Sequence, residues 1–504
     1  MRLQAVLRTA LFAPVGLFAM GAGGFVEGSA QVAFASDPNL TAGDPAEAIR
    51  SVMLERLDED LAVVRAFRPG YAFWEHVFRI PDGSVAYGNA MDGRLLAVFP
   101  ARGDWNGSAH WEEPVLASLV SPNGLPSQMT LRRDAMAERL EEHVGPVIHN
   151  ATRGLFVRPS ANRYGSFLAE WGAIYERFGV PAELGLAQAL IESGFNPKIR
   201  SEARAVGFCQ WLESNWNHIK RLAPNEIESH NQTTQAAYCA AYLAILSAKY
   251  GSFIPALSEH HAGGTNVGRV LIHGQWLGET DVRRQYLAGA EFARDLREIS
   301  SDRYRDVVRT YGPRSFRYSE MVFGNMEHVR AIQAGAAQQP IFAMRAPRSI
   351  RIEEVTRVTG LSTDEVRRYN PALVRQVPRG ANLYLPVRVE AFGEDVTFWH
   401  QAPEPSFAFL MEEFHRMGLD PEQWADPAFE PLLQEYRARF RQTGTEEGQI
   451  MATMIAFAID ESFRGRRGHI LREFRADTRV RLLFEQGVLE RNARPTPLRA
   501  GQQQ

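Results

Sequence analysis

Cysteine is nearly absent from this chain: two residues, Cys209 and Cys239, in 504. That excludes a disulfide framework and any Cys-rich zinc module. Unpaired cysteine usually behaves as a small core hydrophobe, so two buried thiols are expected, with a bridge as the alternative in an oxidising compartment. Lysine is almost as scarce, at positions 198, 220 and 249, and nearly every basic side chain is arginine. There is no excess of charge of either sign: 56 basic and 59 acidic residues leave a formal charge of -3, which excludes a dedicated nucleic-acid binder that must neutralise phosphates. P-loop, dinucleotide fingerprint and His-Glu-x-x-His motifs are also missing, so no nucleotide, redox or zinc chemistry is signalled. No apolar run reaches the ~20 residues a spanning helix needs. The longest, Leu11 to Val26, contains Pro14 and follows Arg2 and Arg8. With Ala33-Phe34-Ala35 after it, the run reads as a secretory signal peptide cut after Ala35, without a cysteine for lipidation.

What is there is the composition of a soluble globular protein, 45% hydrophobic and 23% charged. At this length two to four packed units are expected. From Ala46 to Arg68 apolar residues recur at helical spacing. Between Phe73 and Phe99 the period shortens around the turns Pro81-Asp82-Gly83 and Met91-Asp92-Gly93, which predicts a small β meander running from Phe73, through His76-Val77-Phe78, to Leu95–Phe99. Its aromatics are expected in the core rather than on a sugar-binding face. Helical patterning returns at Leu131–Val144 and dominates from Tyr164 to about Ala336. Gln338 to Pro347 reads as a linker. Ile350–Pro386 then reads strand, helix, turn, helix, strand, and the segment from Phe407 to about Arg491 is helical again. The divisions are therefore residues 1–35 (leader), 36–160 (helix plus meander), 161–337 (helical domain), 338–349 (linker), 350–387 (β-α-α-β module) and 388–504 (helical C-terminal region). The fold class is mainly α, α+β overall.

Chemistry concentrates between Pro181 and Trp211. Leu184, Ala187, Leu190 and Ile191 form one face of a helix that ends at Glu192, and Ser193-Gly194 stops it, glycine being suited to the left-handed position past a helix end. A carboxyl group among Ala, Gln, Leu and Phe195 is expected to be desolvated, which favours its protonated form. A general acid for glycosidic bonds requires that form. The run continues with Asn196-Pro197, Ser201 and Ala205-Val206-Gly207-Phe208-Cys209-Gln210-Trp211.

With Glu192-Ser193, Phe195-Asn196-Pro197 and Gly207-x-x-Gln210 in place, the segment resembles the lytic transglycosylase family with the soluble-transglycosylase domain, which is lysozyme-like. The resemblance implies that Glu192 is the catalytic acid and that Ser193 and Gln210 orient it and the sugar, with Gly207 letting the glycan approach. The family's Ala-Tyr-Asn-Ala-Gly motif keeps its frame at Ala256 to Gly264 but reads His260-His261 where the Tyr-Asn pair belongs, so these two are candidate sugar contacts. A later family Tyr is best matched by Tyr286 in Arg283-Arg284-Gln285-Tyr286. Val358-Thr359-Gly360-Leu361, Tyr369-Asn370-Pro371 and Tyr384-Leu385-Pro386 look like a LysM module of the kind that follows this domain in the membrane-bound lytic transglycosylase D group. The function implied is cleavage of the β-1,4 bond between N-acetylmuramic acid and N-acetylglucosamine, outside the cytoplasm. Peptidoglycan strands are the partner, 1,6-anhydro ends the product, and no cofactor or metal is required. Two readings stand beside it: a goose-type-lysozyme-like hydrolase recruiting water through Glu202 or Glu213, and a weakly catalytic peptidoglycan-binding scaffold. Asp460-Glu461-Ser462 repeats the Glu-Ser pair, but no Gly-x-x-Gln follows it.

Overall fold

The structure is a computed structural model and describes residues 45–223, 228–308, 315–401, 426–464 and 466–493. The expected leader, residues 1–35, and the start of the C-terminal helical stretch at Phe407 lie outside the described residues. The protein is mainly helical with small sheets, as its periodicity requires. Among the described residues no helix is long and apolar enough to cross a membrane.

The N-terminal part opens with the helix Pro45–Phe67 and departs from the expected meander at once. Phe73–Arg79 is a helix, not a strand. Phe73, Trp74, Val77 and Phe78 are all buried, and that spacing is one helical face, not the alternation of a strand. A four-stranded antiparallel sheet follows, with Ser84–Asn89 central, flanked by Leu95–Pro100 on one side and Val147–Ala151 on the other. Tyr87 faces Ala97 in one neighbour and His149 in the other. The strand Val147–Ala151 arrives only after the helix Met129–Val144, so the sheet is not a sequential meander. Tyr87, Phe99, Trp105, Met136 and Leu140 fill a core between the sheet and that helix, which is where the aromatics were expected to go.

One continuous apolar core runs from Leu57 to Phe484. At its centre lies the helix Gln232–Tyr250, buried along nearly its whole length. Glu446–Ile459, from the C-terminal region, packs against it and makes the Arg177–Glu447 ion pair across the core, with the Arg177 Nη2 to Glu447 Oε2 distance 2.6 Å and both side chains almost completely buried. The tail is therefore part of the main body. Cys209 and Cys239 are joined in a disulfide between the loop after Glu192 and the central helix. The expectation of two free thiols is corrected, because the short hairpin Ala205–Val206/Trp211–Leu212 folds the loop directly onto that helix.

Residues 338–349 are not simply a linker. Phe342–Arg345 is the middle strand of a sheet, between Asn382–Leu385 and Glu394–Asp395. The closing strand of the β-α-α-β unit thus pairs with Phe342–Arg345, and Ile350–Arg351 pairs instead with Gln376–Val377. The two helices, Ile352–Thr359 and Thr363–Tyr369, stand where periodicity put them. Ser362 and Glu365 form a capping box. Asn370 donates to the Val366 and Tyr384 carbonyls and accepts from Tyr384 N, which explains the Tyr-Asn-Pro run as a buried tie between the second helix and the last strand. The unit is docked on the main body through Asn231 to the Tyr369 carbonyl at 3.0 Å and through Thr234 to the Tyr384 hydroxyl at 2.6 Å.

Removing one member of a buried ion pair strands the other charge. Glu447→Ala should therefore destabilise the protein by ~3–5 kcal/mol, measured as a lowered denaturant midpoint, and the joint replacement Arg177→Met with Glu447→Leu should recover most of that loss. A single substitution costing less than about 1 kcal/mol would show that the pair does not hold the tail to the core.

Candidate active site

The helix Ala182–Ser193 buries Leu184, Ala187 and Leu190 and delivers Glu192 at its last turn. Gly194 then takes φ 57°. A β-carbon there would stand 2.5 Å from the Phe156 carbonyl oxygen, so glycine is needed for conformation and for space alike. Phe195 continues the reversal at φ 66° with its ring fully buried, a conformation uncommon for a bulky residue that the surrounding packing must enforce. Ser193 is fully buried, and its hydroxyl is bonded to the Phe208 carbonyl at 2.9 Å. It ties the helix end to the following hairpin and does not reach Glu192 or the cleft, so its expected sugar-orienting role is corrected. Gly207, at φ 70°, leaves room for the Gln235 side chain rather than for a glycan; Gln235 in turn accepts from Cys209 N at 3.0 Å.

Glu192 sits on the floor of a cleft of about 640 Å³. Tyr318, at the start of the helix Tyr318–Gly324, donates its hydroxyl to Glu192 Oε1 at 2.6 Å. His261 Nδ1 lies 3.6 Å from the same oxygen, and its ring stacks on Tyr318 with centroids 4.3 Å apart and planes 8° from parallel. Burial is the largest influence on Glu192 and pushes its pKa up; His261 and the Tyr318 hydroxyl beside it outweigh burial, and the net direction is downward. The expectation of a carboxyl group biased to its protonated form by apolar neighbours is therefore corrected for the free cleft. The Tyr318 hydroxyl is pushed well above its ordinary value by burial and by Glu192, so it remains a donor.

The two histidines separate in role. Trp211 Nε1 donates to His260 Nδ1 at 3.3 Å and His260 Nε2 donates to the Cys209 carbonyl at 2.9 Å. That pattern needs the neutral ring with its proton on Nε2, and burial depresses the His260 pKa in the same sense. His260 is a fastener between its helix and the hairpin, not a sugar contact. Both ends of that helix, Phe253–Ala262, are held by buried charge. At the start Asp60 accepts from Phe253 N at 2.6 Å and from Ser252 at 2.7 Å, and pairs with Arg283 at 2.7 Å; burial pushes Asp60 up to about 6. Near the other end Glu259 is bound by Lys249 and Arg467, each at 2.7 Å. These charges overcome burial and bring Glu259 down to about 2.

Of the six residues singled out in the sequence, the fold brings Glu192, Gln210 and His261 to the cleft and leaves Ser193, His260 and Tyr286 outside it. Gln210 lines the wall while its amide holds the loop by donating to the Ile199 and Gly207 carbonyls. Tyr286 is fully buried on Val282–Ile299. Its neighbour Arg283 serves Asp60, so the Arg-x-x-Tyr match there is structural, and the tyrosine at the acid is Tyr318. The one local signal for it was the pair Arg317-Tyr318 opening an apolar helix; spacing alone did not favour it over Tyr286. The sequence also gave no hint that the N-terminal sheet and helices would wall the cleft, with Trp74, Phe78, His149 and Arg153 facing Glu192's side. Among the described residues lining the cleft Glu192 is the one acid. Glu213 is paired with Arg200 at the surface, Glu202 is exposed, and Glu461 lies on the turn Asp460–Arg464 away from the cleft.

The helical domain thus presents a single carboxylate in a cleft walled by cationic, polar and aromatic side chains. Residues 170–280 match the family described as Transglycosylase SLT domain. The chain is thereby an enzyme of the peptidoglycan lytic transglycosylase class, a glycan-cleaving lyase. No curated protein matches the chain.

His261→Asn removes the imidazole whose presence beside the acid lowers Glu192 and leaves burial, which raises it. The limb of the pH profile of kcat/KM belonging to protonated Glu192 should therefore move to higher pH in His261→Asn. An unmoved limb would mean that His261 does not govern the acid.

Proposed function

We propose that the enzyme cleaves the β-1,4 bond between N-acetylmuramic acid and N-acetylglucosamine by intramolecular transglycosylation, leaving 1,6-anhydro ends. The observation that carries this reading is the solitary carboxylate. A two-carboxylate hydrolase needs a partner across the scissile bond to act as nucleophile or to activate water, and neither Glu202 nor Glu213 lines the cleft. Glu192 gives its proton to the bridging oxygen, so the N-acetylglucosamine leaves with a free hydroxyl. As carboxylate it then takes the proton from the C6 hydroxyl of the same muramic acid, whose oxygen forms the new bond to C1. Water takes no part. Tyr318 and His261 hold the carboxylate in place through both steps, and Gln210 shapes the wall beside it. A glycan covering the cleft strengthens the one influence that favours the proton, burial.

The cationic side chains around the acid, Arg153 and Arg317, favour a substrate that bears carboxylates, as peptidoglycan does and chitin does not. The segment 1–35 serves as an export signal that takes the protein to the periplasm or cell envelope. Residues 161–337 form the catalytic unit, 350–387 a LysM-like glycan-binding module, and 36–160 and 388–504 its supports.

Glu192→Gln keeps shape but removes the proton, so cell-wall cleavage should fall by about two orders of magnitude or more while the protein stays folded. Mass analysis of the wild-type digest should show anhydro ends; reducing ends would establish hydrolysis, and full activity in Glu192→Gln would remove Glu192 from the mechanism.

A further inference from the structure

A second hollow, of about 540 Å³, lies where the β-α-α-β unit meets the main body. Two elements that wall the catalytic cleft also wall this hollow. The helix Gly154–Tyr164 offers Phe156 to the cleft and Pro159, Ser160 and Arg163 to the hollow. The loop after the Glu192 helix runs the other way, with Asn196 and Lys198 in the hollow and Ile199, Arg200 and Ser201 in the cleft. The far wall comes from the β-α-α-β unit and includes Arg367, Asp364 and Val374, the last 71% exposed. From Phe156 to Arg163 is ~10 Å of helix, a spacing that one extended polymer lying across the packed helix and loop can bridge. Arg163, Lys198 and Arg367 are exposed in the hollow and outnumber its one acid, Asp364.

We infer that this hollow is a distal subsite that holds carboxylates of the same glycan strand whose backbone lies over Glu192. The inference rests on the peptidoglycan reading above and extends it. Guanidinium groups suit carboxylates because their paired N–H donors match the two oxygens. On a peptidoglycan strand those carboxylates come from stem peptides or, where stems have been removed, from the lactyl groups. Binding at a second point on the strand raises the effective concentration of the scissile bond at the first, so the subsite governs long substrates and leaves short ones alone.

The test uses the full chain with Arg163→Ala and Arg367→Ala combined, against three soluble substrates: long strands bearing stems, the same strands with stems removed, and fragments too short to reach the hollow. The double variant should raise KM for long stem-bearing strands about fivefold to tenfold, with kcat unchanged and short fragments processed as by the wild type. Arg163→Lys with Arg367→Lys, which keeps the charge, should recover part of the loss. An effect confined to stem-bearing strands supports the stem carboxylates as ligand, and one that persists on stripped strands supports the lactyl groups. An unchanged KM on long strands, or an equal loss on short fragments, overturns the subsite. If the wild type cleaves none of the three, the peptidoglycan reading fails by itself. The hollow is then decided by adsorption of the uncleaved long strands, where equal retention by wild type and double variant overturns it.

Discussion

A carboxylate buried at the C-terminal end of a helix is in an unfavourable place twice over. Burial disfavours its charge, and the partial negative charge of the helix end repels it. Glu192 stands in that position because a helix end beside a chain reversal is where a side chain can face a cleft while its backbone stays in the core. It can serve there only with donors brought to it from elsewhere in the chain. Tyr318 donates to it and His261 stands 3.6 Å away, on two helices remote from it in sequence. Much of the surrounding architecture keeps these three groups in register.

That register is held by buried polar ties rather than by apolar contact alone. Asp60 caps the start of the His261 helix and Glu259 clamps its last turn, the first from the N-terminal helix and the second through Arg467 of the C-terminal region. Trp211 and the Cys209 carbonyl fix the ring of His260 and with it the adjacent His261. The disulfide pins the hairpin to the central helix. The flanking regions therefore act on the site by positioning: the N-terminal part supplies a cleft wall and a helix cap, and the C-terminal part supplies the buried clamp. Buried ionic groups cost desolvation and are useful where a unique arrangement matters more than bare stability. An acid whose proton affinity depends on groups a few ångström away is such a case.

The two hollows extend the same logic outward. The helix Gly154–Tyr164 and the loop from Asn196 to Ser201 are each shared between the catalytic cleft and the seam with the β-α-α-β unit. A rigid connection between them is worth more for a polymer than for a small molecule, because it fixes the spacing of two contacts along one strand.

The sequence by itself determined the helices, the carboxylate and the turn behind it. Apolar spacing, Gly194 and the Glu-Ser, aromatic-Asn-Pro and Gly-x-x-Gln runs are local features, and local backbone preferences decide where a helix stops and which side chain stands at its end. The same locality misled at Phe73–Arg79, where aromatic residues ahead of two turns suggested a meander although Phe73, Trp74, Val77 and Phe78 lie at helical spacing. It misled again at residues 338–349, where Phe342–Arg345 becomes a strand only because Asn382–Leu385 and Glu394–Asp395 complete its hydrogen bonds. Tertiary structure alone decided which hydroxyl meets the acid, Tyr318 and not Tyr286, and which imidazole faces it, His261 and not His260. It also decided that Cys209 and Cys239 pair and that the proton affinity of Glu192 falls rather than rises. Each of these depends on which groups from distant parts of the chain come within a few ångström, and on the charge they carry there; short-range periodicity holds no record of either.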